Sequence, residues 1–118
     1  MGTKMKKIII AGPCAAESSA QIRQSIKEVK TRPVDFLRVS LWKPRTKPGF
    51  DGMAEEGIPL LIETAKAGIN PSTEVIIPAH AEKVIKAVLE ANSKTKVLVW
   101  IGARNQNHYI QQEIARVV

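Results

Sequence analysis

Four short β-like runs alternate with four stretches of helical period along the whole chain, and this rhythm restricts the fold more than any other feature. The runs are Lys7-Ala11, Asp35-Trp42, about Ser72-Ile77 and Lys96-Ile101. Each strand-plus-helix unit takes about 30 residues, the length a right-handed crossover between parallel strands requires. Ile8-Ile9-Ile10 and Val97-Leu98-Val99-Trp100-Ile101 are continuously apolar, so both are expected to be covered on both faces. The expected fold is α/β, with a parallel sheet and helices outside it.

Helix signals fall between these runs. Ser18 or Ser19 can cap a helix whose inner face is Ile22, Ile26 and Val29, with Arg32-Pro33 ending it. Pro59 is compatible only with a first turn, which starts the second helix near Ile58; Gly68 stops it after Leu60, Leu61, Ile62 and Ala65. Val84, Ile85, Val88 and Leu89 form the stripe of a third helix. A fourth starts near Asn107 and carries Ile110, Ile114 and Val117 inward.

Composition supports a packed domain: 44% of the 118 residues are hydrophobic and 25% charged, unlike the charge-rich pattern of disordered chains. No apolar run approaches the roughly 20 residues of a membrane-spanning helix, and the N-terminus lacks a secretory apolar segment, so a cytoplasmic location and no membrane partner are expected. Residues 1–6 are expected to form a solvated arm. The net charge of +7 suits anionic ligands. The five aromatic residues do not interleave with basic ones as nucleic-acid stacking platforms do, so no nucleic-acid partner is expected.

The chemistry-bearing residues gather at one end of the strands. Cys14 follows the first strand, Lys43 and Arg45 the second, and Arg104 the fourth, while Arg38 and Glu74 lie within the second and third. Parallel strands place their carboxyl ends on one rim, where ligands bind in barrels and open sheets alike. Alternation in Asp35-Trp42 puts Phe36, Arg38, Ser40 and Trp42 on one face. A guanidinium there requires an anion, and Glu74 or a bound phosphate or carboxylate could supply it. One glutamate cannot balance Arg38, Lys43, Arg45 and Arg104, which favours the ligand. Cys14, in Gly12-Pro13-Cys14, reads as a small buried hydrophobe or as a thiolate ligand or nucleophile; the tetrapeptide alone favours the first. His80, at a helix start, and His108, in a polar loop, read as surface residues.

Taken together, Ile10-Ala-Gly-Pro-Cys14, Leu37-Arg38, Lys43-Pro-Arg-Thr46, Thr73-Glu-Val75 and Ile101-Gly-Ala-Arg-Asn105 resemble the 3-deoxy-D-arabino-heptulosonate 7-phosphate (DAHP) synthases, from about Ile8 onward. The likeness is to the compact branch that also holds the 3-deoxy-octulosonate 8-phosphate synthases, from which Lys43-Thr46 separates it. The resemblance implies an eight-unit TIM barrel, of which residues 1–118 form the N-terminal (βα)4 half. It implies that Arg38 and Arg104 hold phosphoenolpyruvate, that Lys43 reaches the reacting groups, and that Pro44, Arg45 and Thr46 surround erythrose 4-phosphate. Glu74 would lie near the attacking water, and Cys14 would ligate a divalent metal (Mn, Zn, Fe or Co) with His, Glu and Asp ligands from the other half. The isolated chain is then expected to be inactive and to self-associate or pair with that half. A non-catalytic anion-binding or assembly module is the alternative, and a 3-deoxy-octulosonate 8-phosphate synthase is the alternative enzyme.

Overall fold

The computed structural model describes residues 7–42, 53–102 and 107–118. Expectations for residues 1–6, Lys43, Pro44, Arg45, Thr46 and Arg104 lie outside them. The elements are β1 (Ile10–Ala11), α1 (Ser19–Val29), β2 (Phe36–Arg38), a 3-10 turn (Ala54–Gly57), α2 (Ile58–Lys66), β3 (Pro71–Glu74), α3 (Pro78–Ala91), β4 (Leu98–Trp100) and α4 (His108–Val117). All strands are parallel, in the order β1-β2-β3-β4.

Local chemistry sets the helix starts. Ser18 caps α1 by accepting from the Gln21 backbone N–H, and Asn107 caps α4 by accepting from Ile110, each satisfying a donor of the first turn. Proline lies in the first turn of α2 and α3, where its missing N–H costs nothing. Gly68 follows α2 as the sequence indicates.

One face of the sheet carries Leu37, Val39, Leu41, Thr73 and Val75, all fully buried against Ile22, Leu60, Leu61, Val84, Val88 and Ile114 of the helices. The opposite face carries Phe36, Arg38, Ser72, Glu74, Leu98 and Trp100, in register across the strands. At the amino ends of the strands Asn70 acts as a staple, donating to the Asp35 carbonyl at 3.0 Å and accepting from the Lys96 N–H at 2.8 Å. This leaves the carboxyl ends for chemistry.

Four sequence expectations need correction. Ile8, Ile9 and Ile10 are 62%, 45% and 49% exposed rather than covered on both sides, because β1 is an edge and α1 packs on β2. β4 is half-buried for the same reason: its Val99 side meets the core, while Leu98 and Trp100 lie on the face without helices. On α3, Ala81, Val84 and Val88 are buried and Ile85 partly so, but Leu89 is 42% exposed; it sits about 100° round the helix from Val88 and beyond the contact stripe.

The fourth correction concerns length, since β2 and β3 end at Arg38 and Glu74 rather than Trp42 and Ile77. Val39 still donates to the Ser72 carbonyl, and a continuing ladder would take the Leu41 N–H to the Glu74 carbonyl. Instead the Thr73 hydroxyl stands between them, accepting from Leu41 at 3.0 Å and donating to Glu74 at 3.0 Å. Ser40 acts similarly: its hydroxyl accepts from the Glu74 N–H at 3.3 Å while its carbonyl accepts from Ala16 at 2.9 Å. Hydroxyls thus part the strands at the rim without orphaning the backbone. Thr73→Val keeps the shape and removes both bonds in a fully buried place, so we expect a loss of about 1–3 kcal/mol in urea denaturation. A variant as stable as the parent would show that the two backbone groups find other partners.

Candidate active site

The rim is built around Arg38. Its Nε donates to the Cys14 carbonyl at 3.1 Å, and its guanidinium carbon lies 4.8 Å from the centre of the Trp100 ring. The loop after β1 and the last residue of β4 therefore fix a side chain from β2. Arg38 pairs in register with Ser72, whose hydroxyl turns back to the Leu37 carbonyl at 3.2 Å, leaving only a small side chain between Arg38 and β4. No ion pair joins Arg38 to Glu74, so the structural pairing that the sequence left open is not what holds the guanidinium. A backbone carbonyl and an indole face hold it instead.

Two glycines make this geometry possible. Gly12 has φ +137, a conformation that L side chains rarely adopt, and a Cβ there would stand 2.8 Å from the Arg38 carbonyl oxygen and 2.9 Å from its nitrogen. Gly102, in the Gly-Ala-Arg-Asn string, has an ordinary φ but no room: a Cβ would lie 2.6 Å from Glu74 Oε2. The Glu74 carboxylate thus lies against the backbone leaving β4, beside Trp100, its register partner.

Cys14 is exposed, which overturns its reading as a small buried hydrophobe. Among the described residues no group of three His, Cys, Asp or Glu side chains could hold a metal ion. The described residues therefore do not by themselves amount to a metal centre.

His80 is half-buried rather than a plain surface residue. Its ring stacks on Trp42 with centroids 3.9 Å apart and planes 7° from parallel, and its Nδ1 accepts from the Ile76 N–H at 3.2 Å. Burial holds its pKa below the usual histidine value; nearby Glu55 opposes this and Lys83, itself ion-paired with Glu55, adds to it. The neutral imidazole, which Nδ1 acceptance requires, is the favoured form. His108 is exposed as expected, but it opens α4 rather than lying in a loop.

Of the residues singled out in the sequence, the structure brings Cys14, Arg38 and Glu74 to one rim. Trp100, Ser40, Thr73, Gly12 and Gly102 were missed as site residues. Trp100 was within reach: pairing the second, third and fourth strands in register puts it on the Arg38 face.

The comparisons agree with this architecture. The model of the DAHP synthetase I family matches residues 1–117. A phospho-2-dehydro-3-deoxyheptonate aldolase of Thermotoga maritima is 32% identical over 103 residues, which cover 86% of this chain and 28% of the relative. The crystal structure of a Thermotoga maritima phospho-2-dehydro-3-deoxyheptonate aldolase (DAHP synthase) superposes with a TM-score of 0.74 at 31% identity, over 93% of this chain and 31% of that one. The chain thus spans less than a third of these relatives and corresponds to four βα units of the larger barrel. With the match running along nearly its whole length, the chain belongs to the DAHP synthetase I family.

Proposed function

We propose that this chain supplies the phosphoenolpyruvate side of a DAHP synthase site. The observation that carries the reading is the fixed guanidinium of Arg38 at the carboxyl rim, with its Nε occupied and the carboxylate-bearing Glu74 on the neighbouring strand. An arginine so held directs its remaining donors as a fork, the geometry that carboxylate and phosphate accept best.

In the reaction proposed, C3 of phosphoenolpyruvate forms a bond to the aldehyde carbon of erythrose 4-phosphate, whose oxygen takes up a proton. Water adds its oxygen to C2, and inorganic phosphate leaves. Arg38 holds the anionic end of phosphoenolpyruvate and stabilises charge there, and Glu74 orients the water and accepts its proton. Lys43, Pro44, Arg45, Thr46 and Arg104 are assigned to the same site by family resemblance, as is Cys14 to a metal. The reading carries with it a cytoplasmic location and association, through the β1 and β4 edges, with the remaining barrel units. Among the described residues no helix is long and apolar enough to cross a membrane.

Calorimetric titration of the chain with phosphoenolpyruvate tests the reading. Arg38→Ala removes charge-assisted hydrogen bonds and is expected to weaken binding by about tenfold or more, while Lys27→Ala, on the exposed side of α1, leaves it unchanged. Equal weakening by both would reduce the effect to net charge.

A further inference from the structure

We infer that Trp100 is a positioning residue of the anion site: its indole face sets the plane and reach of the Arg38 guanidinium. This rests on the reading of Arg38 as the anion donor and names the element that makes it competent.

The argument starts from what a half-buried arginine on a sheet face can do. With one nitrogen bonded to the Cys14 carbonyl, the side chain can still turn about its last torsions, and a carboxylate on the next strand would ordinarily capture it. It does not do so. The guanidinium carbon instead lies 4.8 Å from the centre of the Trp100 ring, well within cation–π range. Three features direct it there. Ser72, its register partner, is small and has its hydroxyl folded onto Leu37. Glu74 lies so close to Gly102 that a Cβ would not fit between them. Trp100 is directly opposite Glu74 on the edge strand, on the face that carries Arg38, so its ring can reach back to the guanidinium.

An indole is suited to this task because it attracts the cation without consuming its N–H donors. A carboxylate in the same place would hold the guanidinium as firmly but use the fork that a ligand needs. Trp100 thus fixes Arg38 while leaving its outer N–H groups to donate to both oxygens of an anion, and it lowers the conformational freedom lost when that anion binds.

The test separates ring electrostatics from packing. In a Trp42→Phe background, Trp100 is replaced biosynthetically by mono-, di- and trifluorotryptophan, which keep the shape and progressively weaken the ring's negative face. Phosphoenolpyruvate and inorganic phosphate affinities are measured alongside thermal stability. The expected result is a graded loss of affinity for both anions, about two- to fivefold across the series, at unchanged melting temperature. Trp100→Phe should retain part of the affinity and Trp100→Leu should lose as much as the trifluoro form. Indole emission should shift on anion binding, and Arg38→Ala should abolish that shift. Affinity independent of fluorination, in a protein where Arg38→Ala still weakens binding, overturns the positioning role and leaves the anion site standing. If Arg38→Ala has no effect either, the anion-site reading itself fails.

Discussion

Gly12→Ala is expected to destabilise the chain by on the order of 3–5 kcal/mol, enough to unfold a small domain of ordinary stability. Two penalties combine. An alanine at φ +137 is strained by itself, and its Cβ would press on the backbone oxygen and nitrogen of Arg38, which cannot swing aside as a side-chain tip can. The β1–β2 pairing, only two residues long, has little reserve to absorb the shift. Urea denaturation provides the measure, with phosphoenolpyruvate titration reporting on Arg38. A midpoint within experimental error of the parent would mean that the close approach of Gly12 to Arg38 is not maintained in solution.

The second large effect concerns turnover. The 118-residue chain, assayed alone for condensation of phosphoenolpyruvate with erythrose 4-phosphate, is expected to run at no more than about one hundredth of the rate it reaches with the remaining barrel units of a DAHP synthase added as a second polypeptide. Losing one preorganised donor at a developing charge commonly costs on the order of 100-fold, and more than one is absent from this chain if the family's ligand set is as the resemblance implies. The two polypeptides have apolar surface to associate with: Ile10 of β1 and the preceding Ile8 and Ile9 are exposed, and Leu98 and Trp100 are half-exposed at the other edge. Assays carried out with added manganese or zinc decide it. Full turnover by the chain alone would overturn the account of missing donors. A folded mixture without activity would favour a non-catalytic anion-binding role.

Periodicity and capping made most of the architecture legible. The two-residue and 3.6-residue patterns are local, and Ser18 and Asn107 announce their helices because a cap needs no tertiary partner. What escaped depends on neighbours far along the chain. Nothing local tells that the Thr73 hydroxyl will replace a ladder bond of Leu41, or that a run of isoleucines will lie at an edge rather than in the middle of a sheet. Alternation showed which face Arg38 occupies, yet the choice among carbonyl, indole and carboxylate turns on distances set by Gly12, Ser72 and Gly102 together. Cys14 illustrates the same limit: a lone cysteine in a tight turn reads locally as a buried hydrophobe, and the fold exposes it.

The strand order has a consequence for biosynthesis. Because every strand lies beside its predecessor, each ladder needs only the unit just translated, and the sheet can grow from its first strand as the chain leaves the ribosome. Synthesis at about 5–20 residues per second is slow beside helix and strand formation, so each unit has time to dock before the next emerges. Within this sheet β1 pairs only with β2, so Ile8, Ile9 and Ile10 wait for Phe36–Arg38 to appear, and they keep much of their exposure afterwards. The sheet thus carries an open apolar edge while these units are being made, and that edge offers a contact for factors that shield emerging polypeptides.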